Sequence, residues 1–166
     1  MSTPPVAPSR LWKRMTADQR RRAASALYGA GEAKSEQQQA VQLIANHLKF
    51  RPKTVNALDA DKKARYLASV PEIPDEVAAR LLVLYHLAEQ RPMMSAFLDA
   101  AGIRHDDGTI EEEAVAPDAA KVRAAAATIG RTYPAADVSL YLATLFWQDP
   151  AAWGALGDVP EVGAPS

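Results

Sequence analysis

Apolar residues in this chain recur three and four positions apart, and almost nowhere in the alternation of a half-buried strand. Between them stand mostly Ala, Leu, Arg, Glu and Gln, residues that lose little side-chain freedom in a helix. The pattern predicts an all-α protein of about nine helices. Thr16-x-x-Gln19 fits a capping box and opens a helix that runs to about Tyr28, where Gly29 and Gly31 end it. Ser35 starts a second, with Val41, Ile44, Ala45 and Leu48 on one face, and Pro52 stops it. A short helix follows Pro52 with Val55 and Leu58 inward, and Asp59 or Asp61 caps the next, through Tyr66, Leu67 and Val70. Pro74 stands at the first turn of a fifth, striped by Val77, Leu81, Leu84 and Leu87. Pro92 begins a sixth with Met93, Ala96, Phe97 and Ala100, closed by Gly102. Pro117 opens a seventh through Val122, Ala126 and Ile129 to Gly130, and Pro134 an eighth with Val138, Tyr141, Leu142, Leu145 and Phe146. Pro150 opens a short ninth with Trp153 and Leu156.

Three of these prolines share a setting. Pro52, Pro92 and Pro150 each follow a long apolar helix, and six residues beyond them stand Leu58, Leu98 and Leu156. The intervals are 40 and 58 residues, and the second falls to 43 without the acidic insert at 102–116. A period near 40 is that of armadillo and HEAT repeats. Two arrangements therefore stand open: a three-unit α-solenoid-like stack, in which neighbours cover each other's apolar faces, and an irregular compact bundle.

With 166 residues, 48% of them apolar, the chain can bury a core without metal or disulfide. One domain is expected over residues 10–156. The Pro-, Ser- and Gly-rich ends, 1–9 and 157–166, are expected to be mobile tails. Cysteine is absent, which excludes disulfides, zinc–thiolate sites, iron–sulfur clusters and thiol catalysis together. The longest uncharged apolar stretch, 81–87, is interrupted by Tyr85 and His86 and is far shorter than the ~20 residues of a membrane span. Pro4, Pro5 and Pro8 occupy the place where an export signal carries its apolar segment. A soluble, cytoplasmic, bacterial-type protein is the expectation.

The net charge of -1 hides an asymmetry. Residues 1–66 carry 13 Lys and Arg against 5 Asp and Glu, and residues 67–166 carry 6 against 15. A chain of this kind can bind an anionic partner with its front half, or bring its halves together within or between molecules.

Several motifs bear on function. Ile44-Ala45, Leu48 and Pro52-Lys53-Thr54-Val55 resemble the helix-turn-helix of LuxR-type regulators, over about 15 residues. The resemblance implies that Lys53, Asn56 and Ala57 lie near a major groove. Arg51 stands where that family has a Ser cap, and Asp59 and Asp61 follow within two turns, where they would repel phosphates. Arg20, Arg21 and Arg22, with Arg10, Lys13 and Arg14 ahead and Trp12 among them, make a basic region that could grip RNA, DNA or an anionic membrane surface. Successive helical residues diverge by about 100°, so the triplet wraps its helix rather than forming a stripe. The insert carries His105, Asp106, Asp107, Glu111, Glu112 and Glu113, without the interval pattern of a calcium loop, and Asp107-Gly108 signals a turn. His47, His86 and His105 lie far apart, and no catalytic, phosphate-binding or dinucleotide motif is present. The expectation is a protein–protein interaction or adaptor module without catalytic activity, cofactor or metal. Its partner is another protein or a second copy, bound through Lys49, Arg51 and Lys53 on one side and Asp106, Asp107 and Glu111, Glu112 and Glu113 on the other. The alternative is a nucleic-acid-binding protein using residues 10–66, with Arg20, Arg21, Arg22, Lys53 and Asn56 in contact.

Overall fold

The computed structural model describes residues 4–162; the outermost parts of both expected tails, 1–3 and 163–166, lie outside the described residues. Among the described residues the chain forms α1 (Pro8–Arg14), α2 (Ala17–Gly29), α3 (Lys34–Leu48), α4 (Pro52–Asn56), α5 (Ala60–Ala68), α6 (Asp75–Glu89) and α7 (Arg91–Ala101). A small hairpin of β1 (His105–Asp106) and β2 (Thr109–Ile110) follows, then α8 (Ala119–Thr132), α9 (Ala135–Gln148) and a 3₁₀ turn (Gly154–Asp158). The protein is all-α apart from that hairpin. None of the helices is long and apolar enough to cross a membrane.

Side-chain caps set where several helices begin. The Thr16 hydroxyl accepts the Gln19 N–H at 3.0 Å and the Gln19 side chain accepts the Thr16 N–H at 2.9 Å, which completes the capping box of α2. Asp59 accepts the Lys62 N–H at 2.8 Å to start α5, and Asp118 accepts the Lys121 N–H at 3.0 Å to start α8. Pro52 and Pro92 stand in the first turns of α4 and α7, where a missing N–H costs nothing.

Residues 8–89 form one compact unit. Its α2 packs on α5 and α6, α1 on α6, and α3 on α4, α5 and α6. The helix α1 lies partly inside the expected tail: Pro8 and Ser9 are its first residues. Its order comes from distant partners. Trp12 is fully buried and its indole N–H donates to the Val70 carbonyl at 2.8 Å, the Ser9 N–H donates to Asp75 at 2.9 Å, and Lys13 pairs with Glu72 at 2.7 Å. Burying an indole with its N–H satisfied is what holds so short a helix, since seven residues alone are below the length that is stable in water.

Residues 90–162, with 4–7, form the second unit. Here α7 packs on α8, and α8 and α9 both meet the 3₁₀ turn. Phe97 is central: Tyr141 meets its ring edge-on at 5.7 Å, and Trp153 lies 5.9 Å away. Residues 140–146 of α9 are all buried, so this helix is covered on every side. Gly130 does not end α8, which runs on to Thr132, and Gly157 lies inside the 3₁₀ turn rather than stopping it. Val159 beyond it is 6% exposed, so ordered structure extends past residue 156. The three proline-led segments fold unlike one another: a five-residue helix, an eleven-residue helix and a 3₁₀ turn. The boundary between the two units, at 89/90, falls just ahead of the second of them.

Candidate interaction surfaces

The connection from α3 to α4 is short and exposed. Lys49 closes α3 in the left-handed region, at φ 60°, a place usually taken by glycine. The Phe50 N–H then donates to the Ala45 carbonyl at 3.0 Å, and the Thr54 N–H to the Arg51 carbonyl at 2.9 Å, so the backbone is fixed on both sides of the turn. Val55, fully buried, anchors α4 beneath. What remains outward is Lys49, Phe50, Arg51 and Lys53, all exposed. Phe50 is 40% exposed and leans on Tyr66 with rings 6.0 Å apart and nearly perpendicular. None of the ion pairs among the described residues involves Lys49, Arg51 or Lys53.

The acidic insert owes its shape to Asp107 and Gly108. Both have positive φ, 49° and 94°, as a two-residue hairpin turn requires, and His105 pairs with Ile110 and Asp106 with Thr109. His105 locks the turn from within. Its Nδ1 accepts the Gly108 N–H at 3.0 Å and its Nε2–H donates to Asp99 at 2.7 Å, which commits both ring nitrogens. Arg91 donates to the Asp107 carbonyl at 2.9 Å, and Arg104 pairs with Glu111 at 3.3 Å. Asp106, Glu112 and Glu113 are exposed and join none of the ion pairs among the described residues. The insert's expected core residues divide: Ile103 is buried, but Ile110 is 36% and Val115 80% exposed. A two-residue strand has no layer behind it to cover Ile110. An open depression of about 360 Å³ beside the hairpin is lined by Asp99, Ile103, Arg104, His105 and Glu111.

The basic region near the N-terminus is partly engaged in contacts within its own unit. Trp12 is in the core, and the Arg20 guanidinium lies 5.9 Å above its ring while donating to the Trp12 and Lys13 carbonyls at 3.0 and 2.7 Å. Arg22 pairs with Asp18 at 2.8 Å and Glu89 at 3.0 Å, and these carboxylates raise its pKa further above the usual range. Among the described residues Arg22 is the one member of the triplet that joins an ion pair; Arg21 lines a polar notch of about 130 Å³ with Ser25, Asp61 and Arg65. A three-residue turn does separate α3 from α4, as the LuxR-type resemblance implies, and Lys53 and Asn56 are exposed on α4. Yet α4 has five residues and spans about 7.5 Å, too short to lie along a major groove, and Asp59 is already capping α5.

The three histidines are not brought together. His47 is exposed on α3, His105 is in the hairpin, and His86 is buried on α6 with Nδ1 2.8 Å from the Leu82 carbonyl. Among the described residues no three His, Asp or Glu side chains group as metal ligands. The charge asymmetry follows the unit boundary: residues 8–89 hold 14 Lys and Arg against 9 Asp and Glu, the remainder 5 against 11. The chain matches no protein-family model, no curated protein and no solved structure.

Proposed function

We propose that this chain is a protein-binding module, an adaptor that contributes charged surfaces rather than reactive groups, and that it works in the cytoplasm. One observation carries the reading: the cations of the α3–α4 turn (Lys49, Arg51, Lys53) and the carboxylates Asp106, Glu112 and Glu113 are exposed and join no ion pair among the described residues. Elsewhere several exposed charges are matched, as Lys13 is by Glu72 and Arg22 by Asp18 and Glu89. Unmatched charges of one sign at the surface raise the encounter rate with a partner of the other sign and select against partners of the same sign.

The test is affinity capture with the full chain from its native cells, with and without nuclease, read by mass spectrometry. Proteins retained after nuclease treatment, and lost when Lys49, Arg51 and Lys53 are changed to Gln, are the expected result. Retention that disappears with nuclease sinks the reading and favours nucleic acid. That second reading has one specific support, an exposed aromatic between cations (Lys49-Phe50-Arg51), the composition of a base-stacking surface.

A further inference from the structure

Among the described residues only Phe50, Ile110 and Val115 are exposed large apolar side chains, and all three stand within the basic turn at 49–53 or the acidic segment at 105–115. Phe50 is flanked by Lys49, Arg51 and Lys53; Ile110 and Val115 flank Glu111, Glu112 and Glu113. Single exposed apolar residues are ordinary, but these coincide with the charges rather than scattering over the helices. Resting on the protein-binding reading, we infer that the basic turn at 49–53 is a docking site for the acidic segment at 105–115 of a second copy of this chain.

Three features argue for this occupant. The charges are complementary, three cations against Asp106, Glu112 and Glu113. Each side brings an apolar contact for the other, so that Phe50 gains cover that Tyr66, touching it edge-on, does not provide. Both surfaces are also pre-shaped. Lys49 is held in the left-handed region and Asp107-Gly108 in a hydrogen-bonded turn, so docking orders little new backbone. Each copy offers one turn and one hairpin, so a pair of copies either makes both contacts reciprocally or makes one and leaves a hairpin on one copy and a turn on the other open to further addition. A contact of this extent, with an aromatic anchor and exposed ion pairs, is weak and sensitive to salt.

Sedimentation of the full chain and two variants tests it. In one variant Lys49, Arg51 and Lys53 are Gln; in the other Glu111, Glu112 and Glu113 are Gln. All these positions are outside the core, and unchanged helical circular dichroism confirms the fold. At about 50 mM salt the average mass of the unaltered chain is expected to climb steadily with concentration above 17.9 kDa, and to return to that value at about 500 mM. Each variant alone is expected to remain at 17.9 kDa. Their equimolar mixture has one intact turn to meet one intact hairpin, so it forms a 1:1 complex that grows no further. Phe50→Ser lowers the association at least tenfold while leaving every charge in place.

An unaltered chain that stays monomeric at low salt overturns the inference. If it still retains nuclease-resistant proteins from the cell, the protein-binding reading survives and the occupant is another protein. A monomeric chain that binds a single-stranded oligonucleotide, and loses it in the Lys49/Arg51/Lys53 variant, makes nucleic acid the occupant and overturns both. Variants that self-associate like the unaltered chain, or a mixture without a 1:1 complex, place any association elsewhere and also overturn the inference.

Discussion

Lys49 occupies a backbone conformation that costs a side-chain-bearing residue roughly 1 kcal/mol, at a helix end where glycine costs nothing. Lys49→Gly is therefore expected to leave the fold as stable or up to about 1 kcal/mol more stable, offset by the greater freedom of glycine in the unfolded chain, while weakening self-association. Urea denaturation and sedimentation on the same samples read the two effects. Gly108 is the opposite case. At φ 94° a Cβ there would lie 2.9 Å from the Met94 Cβ, so Gly108→Ala meets both strain and a collision and is expected to cost about 1–3 kcal/mol, seen as an earlier urea midpoint. Tyr28 supplies a pH dependence. Its hydroxyl is buried without a hydrogen-bond partner among the described residues, and burial pushes its pKa from the ordinary 10 up to about 12. The folded chain then holds a proton that the unfolded chain has released, so this group's contribution is whole below about pH 10 and is lost as the pH rises towards 12. Tyr28→Phe should leave stability near pH 8 unchanged or slightly higher and reduce the fall between pH 10 and 12; an equal fall in both proteins would show that Tyr28 is not its source. Tyr141, pushed upward by deeper burial, contributes to the loss that remains.

At the scale of elements, what could be read from the chain followed how local the cause was. Thr16 and Gln19, Asp59, Pro52 and Pro92 act within one turn, and each lies at the start of the helix it was expected to open or cap. The Asp107-Gly108 turn was equally legible, though the two-residue strands beside it were not, because His105 and Arg91 hold them from outside the pairing. The helix α1 could not be read locally: its first two residues belong to the stretch expected to be a tail, and Trp12 finds its acceptor 58 residues away at Val70. Nor could Gly130. A glycine signals a helix end on composition, yet here it sits on an exposed face where a Cβ would meet the Glu161 side chain at 3.0 Å.

Over the whole molecule, the division of charge was plain from composition, but the charges left for binding were not, because the pairs that remove Lys13 and Arg22 join residues 59 and 67 positions apart. A net charge of -1 conceals a basic unit and an acidic one, so at low salt the chain is expected to be retarded on both cation- and anion-exchange media near neutral pH. Retardation on only one would mean that the two charge sets neutralise each other within a molecule. The burial of α9 carries a consequence for biosynthesis. Residues 140–146, the most continuously enclosed run in the chain, are translated after α7 and α8, whose inward faces include Phe97 and Ile129. On the ribosome those two earlier helices emerge before the helix whose Tyr141 meets the Phe97 ring edge-on. Until it arrives the nascent chain is a natural client for a chaperone, and stalled products ending before Ala135 should be the ones that aggregate.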